Sequence, residues 1–153
     1  MNDSSAEPSS LVDWLIYLET LHPKTIDMGL ARVDRAKTAL GLTPSFPMFM
    51  VGGTNGNGSV CDMLESILHC TGYKTGCYTS PHLLEYNERI RINKTVVEDD
   101  KLCQIFHQIE TARTACDTSL TFFEFGTLAA VGLFIEAQVD VAILEVGLGG
   151  RLD

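Results

Sequence analysis

The stretch Met50–Val60, which reads MVGGTNGNGSV, lies between an apolar run and a segment with helical periodicity. Residues 46–51 predict a strand buried on both faces, and the apolar spacing over 60–68 predicts a helix that begins near Ser59 and ends at Gly72. In a strand, glycine loop and helix of this kind, backbone N–H groups and the positive helix end converge on an anion. The stretch therefore indicates either a phosphate-binding loop or an ordinary strand-to-helix turn.

The residues of the loop leave both interpretations open. Glycines at 53, 56 and 58 permit positive φ angles and a close approach of the backbone to a ligand. Their spacing departs from the pattern G-x-x-x-x-G-K-[ST], and the lysine is missing. Ser59 could bind a magnesium ion or cap the helix.

The rest of the chain alternates helical and strand patterns. Helices are predicted over residues 10–21, 29–40, around 102–109 and over 122–137, and further strands over 75–79, 89–92 and 141–146. The 122–137 segment is apolar nearly throughout, so we expect a helix buried on most sides. This alternation predicts an α/β fold: a parallel sheet with helices on both faces.

Composition limits the classes of function. A chain of 153 residues with 45% hydrophobic side chains forms one domain, and a net charge of −9 disfavours nucleic acid and anionic membranes as partners. The five cysteines are scattered, so we interpret them as reduced, mostly buried thiols. The absence of a long apolar span and of a basic leader predicts a cytoplasmic protein.

Several stretches carry a family resemblance. They are HPKTIDMGLARV (22–33), GGTNGNGS (52–59), YTSPHLLEYNERIRIN (78–93), FFEFGTLAA (122–130) and DVAILEVGLGGRLD (140–153). Together they resemble the N-terminal part of the folylpolyglutamate synthase and dihydrofolate synthase family, within the Mur ligase superfamily. The likeness spans essentially the whole chain and implies a P-loop-containing sheet of the Mur ligase central-domain type, here incomplete.

The resemblance implies an ATP-dependent ligase. Such enzymes use ATP and Mg²⁺ to convert the carboxylate of dihydropteroate or a folate into an acyl phosphate, which the amino group of L-glutamate then attacks. The ATP-binding residues implied are Gly53, Thr54, Asn55, Gly56, Asn57, Gly58 and Ser59.

One position of this loop departs from the family pattern G-T-N-G-K-G-[ST], because Asn57 replaces the lysine. Asparagine offers only a neutral amide donor on a shorter stem. We therefore expect weak ATP binding and no fast phosphoryl transfer, and we assign no catalytic residue.

Glu145 lies near the carboxyl end of an otherwise apolar strand, at the edge where open parallel sheets bind ligands. A carboxylate there either coordinates a metal ion or caps nearby loop amides. The resemblance implies that it binds magnesium together with Ser80, so both side chains are expected to lie beside the glycine loop.

The acceptor substrate has its own candidate segment. Residues 121–124 fit a capping box at the start of the apolar helix, which alone explains the two polar residues. The resemblance adds a dihydropteroate pocket, formed by Thr20, Leu21, His22, Thr121, Phe122, Phe123 and Glu124. Arg151 is a candidate ligand contact in the last glycine loop.

Three other polar residues have weaker interpretations. Arg89 and Arg91 are expected on the polar side of their strand, where they attract phosphate or a carboxylate or simply face solvent. His82, in the loop after a strand, is interpreted as a surface or structural histidine.

The resemblance also implies parts that these 153 residues lack. They are further parallel strands, another histidine ligand for magnesium and a C-terminal domain that helps to hold ATP and glutamate. We expect residues 1–153 to form the N-terminal part of the ATP-binding domain of a monomeric parent enzyme, inactive alone. The alternative is a non-catalytic remnant, or a module that binds a nucleotide or pteridine.

Overall fold

The computed structural model describes residues 8–21 and 29–147. Its elements follow the predicted alternation of helices and strands. In chain order they are α1 (Leu11–Thr20), α2 (Leu30–Leu40), β1 (Met48–Val51), α3 (Asn57–Cys70), β2 (Thr75–Tyr78), a 3₁₀ helix (Tyr86–Arg89), β3 (Ile90–Ile92), β4 (Thr95–Val96), α4 (Asp99–Ala115), α5 (Phe122–Glu136) and β5 (Val141–Glu145).

The strands form a five-stranded sheet in the order β1-β5-β2-β3-β4. The three strands β1, β5 and β2 are parallel, whereas β3 and β4 are antiparallel to their neighbours. Asn93 and Lys94, both with positive φ, form the turn between β3 and β4, as short hairpins require. The predicted α/β class is confirmed, with the correction that the sheet is mixed; its parallel part carries the glycine loop.

Helices cover both faces of the sheet, as predicted. Because side chains alternate along a strand, Cys77 and Ile143 pack against Cys61 of α3 on one face. Tyr78 and Leu144, one position along each strand, join the larger core on the opposite face. That core is shared with α1, α4 and α5.

Aromatic rings fill the centre of the larger core. Trp14, Phe106 and Phe125 are fully buried, and the Phe106 ring meets the other two edge-to-face. Helix α5 contributes more buried residues to this core than any other element and is buried on most sides, as its composition predicts. It approaches β2 so closely that a Cβ atom on Gly76 would lie 2.6 Å from the Phe134 ring, so a glycine is required there.

Two details of the loop's surroundings differ from the prediction. Strand β1 is not buried on both faces, because its first three residues are exposed, Met50 by 56%; it pairs with β5 alone among the described residues. Helix α3 begins at Asn57, before the predicted Ser59, because Gly56 adopts a φ of 78° and serves as its N-cap. The predicted capping role of Ser59 is therefore wrong.

The cysteines also require a correction. All five are free thiols, but only Cys61 and Cys77 are buried, and Cys70 is exposed. Within residues 8–21 and 29–147, no helix combines the length and the apolar character needed to cross a membrane.

Candidate functional site

The glycine loop begins beside the carboxyl end of β5. Val51 and Glu145 are partners in the parallel register of β1 and β5. The N–H of Val146 donates to the carbonyl of Val51 at 2.8 Å, which continues the pairing to the point where the loop leaves the sheet. The exposed residues 52–56 therefore lie at the carboxyl-terminal edge of the parallel strands, where the sequence analysis predicted ligand binding.

Asn57, which stands at the lysine position, is turned into the loop. Its side-chain Nδ2 donates to the carbonyl of Gly53 at 2.8 Å. A Cβ atom on Gly53 would lie 3.0 Å from Asn57 Oδ1, which is a tight contact that a small shift of the amide would relieve. The amide thus binds the loop's own backbone.

The beginning of α3 suits an anion. Its N-cap, Gly56, has no side chain to accept from the first N–H groups, and the first turn has no acidic residue. These N–H groups therefore lack a capping side chain, while the helix dipole favours negative charge beside them. Ser59 is exposed within this first turn.

Ser80 and Glu145 lie together, as predicted. The backbone N–H of Ser80 donates to Glu145 Oε2 at 2.8 Å. Glu145 alternates with Ile143 and so faces α3. Burial, with a contribution from the Glu145 charge, raises the pKa of the Cys61 thiol to about 11. The carboxylate therefore stands between the end of β2 and the helix that follows the loop.

These two residues fit part of a magnesium site. A carboxylate and a hydroxyl are hard oxygen donors, which Mg²⁺ prefers, and it commonly takes its other ligands from phosphates and water. No group of three His, Cys, Asp or Glu side chains able to hold a metal occurs in the described part of the chain. Ser80 and Glu145 could therefore supply two ligands of a site shared with a nucleotide.

Thr121 and Glu124 form the predicted capping box of α5. The Glu124 N–H donates to Thr121 Oγ1 at 3.1 Å, and the Thr121 N–H donates to Glu124 Oε2 at 2.8 Å. The other carboxylate oxygen accepts from Arg32 Nη2 at 2.8 Å, a partner that sequence reasoning missed. Both carboxylate oxygens of Glu124 therefore accept hydrogen bonds from other residues of the chain.

The aromatic residues of this segment reach the other candidate residues. A Cβ atom on Gly147 would lie 2.6 Å from the Phe123 ring, so this ring packs against the chain that follows β5. The same ring lies 6.0 Å from that of Tyr78. Phe122 lies beside Arg89, with 5.4 Å between its ring centre and the guanidinium carbon.

Thr20 and Leu21, which are also predicted to bind the substrate, have partners outside residues 121–124. Thr20 is exposed and its hydroxyl donates to the Tyr17 carbonyl, while Leu21 packs against the larger core. Neither makes a hydrogen bond to residues 121–124. The predictions for His22 and Arg151 lie outside the described residues.

Arg89 and Arg91 have different surroundings, although the sequence placed both on one side of a strand. Arg91 binds Glu65 and Asp62 of α3, at 2.9 and 2.6 Å. Arg89 precedes β3, as the last residue of the 3₁₀ helix. Its Nε donates to His82 Nδ1 at 2.8 Å, a contact that the sequence did not indicate.

Known proteins of the same kind match the chain throughout its length, although no protein-family model matches it. It is 53% identical over 146 residues to "Dihydrofolate synthase/folylpolyglutamate synthase" of Escherichia coli (strain K12), which covers 95% of this chain and 34% of that protein. The solved structure of E. coli FolC in complex with DHPP and ADP aligns with a TM-score of 0.91 and 54% identity, over 95% of this chain and 35% of that one.

A second solved structure agrees. It is a bifunctional folylpolyglutamate synthase/dihydrofolate synthase with Mn, AMPPNP and L-glutamate bound, at a TM-score of 0.88 and 50% identity, covering 95% of this chain and 35% of that one. The chain spans about a third of the length of the curated relatives it matches. About half of the residues are identical over 95% of this chain, and the folds agree, so the chain and these proteins are homologous. The chain belongs to the dihydrofolate synthase/folylpolyglutamate synthase family.

Proposed function

We propose that this chain provides the nucleotide-binding part of an ATP-dependent ligase that adds L-glutamate to dihydropteroate or a folate, and that the chain is inactive on its own. The observation that carries the proposal is the contact between Ser80 and Glu145, beside the glycine loop. In this proposal the two strand ends supply oxygen ligands next to the uncapped N-terminus of α3.

In this proposal the loop binds the terminal phosphates of ATP. Residues 53–59 present backbone N–H groups and the positive end of α3, which stabilise negative charge without a side-chain cation. Mg²⁺ held by Ser80 and Glu145 would neutralise part of the phosphate charge when it is bound. Charge must be neutralised there because two anions, a phosphate and a carboxylate, approach each other.

The acceptor substrate is proposed to lie on the other side of the same sheet edge. Phe122 and Phe123 begin α5 there, and Phe123 packs against the chain after β5. The capping box fixes the backbone of this segment. A carboxylate held between the segment and the loop would accept the γ-phosphoryl group as ADP leaves. The amine of glutamate would then displace phosphate to form the amide.

Asn57 supports the proposal that the isolated chain does not turn over. A lysine at this position would place a positive charge beside the phosphates, whereas the Asn57 amide donates to the loop carbonyl of Gly53. Loss of a charge that stabilises the transition state commonly lowers the rate by about 100-fold or more. The same contact favours a second candidate function, a module that binds a nucleotide or pteridine without catalysis.

A paired experiment separates these functions. The purified 153-residue chain is incubated with MgATP, L-glutamate and dihydropteroate, and its nucleotide affinity is measured by calorimetry. We expect measurable but weak ATP binding and no amide product. Formation of product would contradict inactivity of the chain, and a lack of ATP binding at millimolar concentration would contradict the nucleotide site.

The cellular compartment and the partners of the protein are proposed from its composition. Five free thiols fit the reducing cytoplasm, and a net charge of −9 opposes nucleic acid as a partner. We propose small-molecule partners only and a monomeric parent enzyme; sedimentation of the chain with and without MgATP tests the second point.

A further inference from the structure

Arg89 differs from the other half-buried arginines of the described chain in having no carboxylate partner. Arg32 pairs with Glu124. Arg91 pairs with two acidic residues of α3, and Arg113 pairs with an acidic residue of its own helix. Arg89 contacts a histidine nitrogen and two aromatic rings and lies near the Tyr78 hydroxyl, with no acidic residue within ion-pair distance among the described residues.

The guanidinium group of Arg89 is held in one orientation. Its carbon lies 5.3 Å from the ring centre of Tyr86 and 5.4 Å from that of Phe122. Cation–π attraction stabilises the group there, and the bond from Nε to His82 Nδ1 fixes its rotation. A half-buried cation held in this way retains donors on its outer nitrogens, and a carboxylate is the partner that fits them in a bidentate manner.

The Tyr86 ring, which lies beside the Arg89 guanidinium, carries an unused donor. The hydroxyl of Tyr86 is buried and has no hydrogen-bond partner in the described part of the chain. Burial raises the pKa of this phenol, and the charge of Arg89 opposes the rise, so the phenol stays a neutral donor near the guanidinium. A ligand that matches these groups carries a carboxylate on an apolar or aromatic body.

We propose that Arg89 binds a carboxylate of the acceptor substrate, an aromatic acid whose body lies against the aromatic residues that begin α5. This role rests on the proposed function, because it takes the acceptor from that reaction. Phe122 belongs both to the candidate acceptor segment and to the surface that supports the guanidinium. Arg89 is therefore a binding residue that selects acids over neutral analogues.

The test compares dihydropteroate with its neutral carboxamide as ligands of the full 153-residue chain. Affinities are measured by calorimetry for the unaltered chain and for Arg89→Gln, Arg89→Lys and Arg35→Gln. Arg35 is an exposed arginine of α2 and serves as the matched control. We expect the unaltered chain and Arg35→Gln to prefer the acid by about tenfold or more, Arg89→Lys to keep part of that preference and Arg89→Gln to lose it.

The outcomes distinguish this role from the function on which it rests. If Arg89→Gln keeps the full preference for the acid, the role of Arg89 is overturned while the acceptor assignment stands. If the unaltered chain binds neither compound, the acceptor assignment fails and this role fails with it. Thermal unfolding of each variant accompanies the titrations. If Arg89→Gln unfolds, Arg89→Lys decides: a preference for the acid that is kept in part or in full supports a contact through charge, and its complete loss in a folded variant overturns the role.

Discussion

The backbone N–H of Ser80 donates a 2.8 Å hydrogen bond to Glu145 Oε2 across 65 residues of sequence. The bond joins the chain just after β2 to the last residue of β5, at the edge where the glycine loop leaves β1. It satisfies one carboxylate oxygen with a backbone donor, which is the capping role that the sequence left open for Glu145. The role in metal binding stays a prediction, directed at the second oxygen and the Ser80 hydroxyl.

Replacing Glu145 with glutamine tests the metal role. The amide oxygen of Gln can still accept from Ser80, so the fold is retained, but the negative charge is lost. We expect the affinity for Mn²⁺ in the presence of ADP to fall by about tenfold or more, because ligand charge governs the binding of hard cations. Electron paramagnetic resonance of free Mn²⁺ measures the change.

A matched control for this variant is Glu136→Gln. Glu136 is an exposed carboxylate that pairs with Lys101 on the surface of α5. This variant removes the same charge from the chain at the last residue of α5, away from the proposed site in β5, so we expect unchanged Mn²⁺ affinity. Equal losses in both variants would point to net charge and contradict a site at Glu145.

The amide of Asn57 is predicted to be a weak substitute for lysine. In Asn57→Lys, an ammonium group is available to the phosphates, and a charge-assisted hydrogen bond contributes about 1.5–3 kcal/mol. We expect ATP affinity, measured by calorimetry, to rise by about tenfold or more. Asn57→Met, which removes the bond to Gly53 without adding charge, is the control; equal affinities for the Lys and Met variants would refute the effect of charge.

Gly76 is predicted to tolerate no side chain. A Cβ atom there would lie 2.6 Å from the Phe134 ring, in a close-packed part of the core. We expect Gly76→Ala to lower the free energy of unfolding by about 1–3 kcal/mol, measured in urea. For comparison, Gly58→Ala places a methyl group in open space within α3 and should leave stability unchanged or raise it. A Gly76→Ala chain as stable as the original would contradict this packing.

The buried thiols predict a loss of stability in alkaline solution. Burial raises the pKa of Cys61 from 9.0 to about 11 and that of Cys77 from 9.0 to about 12. Below pH 9 both thiols are neutral in the folded and unfolded states, so burying them does not lower the free energy of unfolding. Above it the unfolded thiols release protons that the folded ones retain, and unfolding becomes easier as pH rises toward those values.

Thermal unfolding between about pH 8 and pH 10.5 checks this contribution. Replacing Cys61 and Cys77 with alanine should make the midpoint temperature less dependent on pH, whatever its starting value. Cys70→Ala, at an exposed thiol, should leave the dependence as it was. The buried phenols of Tyr78 and Tyr86 act in the same direction above pH 10, because burial raises their pKa values as well.

Much of the architecture follows from local patterns. The helices and strands lie close to the predicted positions because apolar periodicity and glycine or proline boundaries are local properties. The pairing of Ser80 with Glu145 is implied by the family resemblance, and it agrees with the rule that the carboxyl ends of parallel strands meet at one edge. Neighbouring residues in sequence therefore carry the information for the helices and strands, whereas the contact between Ser80 and Glu145 follows from the order of the strands in the sheet.

The remaining features depend on contacts between distant segments. The exposure of β1 depends on which distant elements pack on its two faces, and its apolar composition alone does not indicate that. Arg89 and Arg91 share a sequence spacing, yet the 3₁₀ helix directs Arg89 toward the rings of Tyr86 and Phe122, while Arg91 extends from β3 toward α3. The bond from Asn57 to Gly53 likewise arises from loop geometry that follows the positive φ of Gly56.

The placement of β1 next to β5 also has a consequence during biosynthesis. Among the described residues, Met48–Val51 find their only strand partner in Val141–Glu145. At translation rates of about 5–20 residues per second, the ribosome needs roughly 5 to 20 seconds to make the intervening chain. Throughout that interval the nascent polypeptide carries its glycine loop beside an apolar segment without its strand partner, so a chaperone can bind this segment until β5 is made.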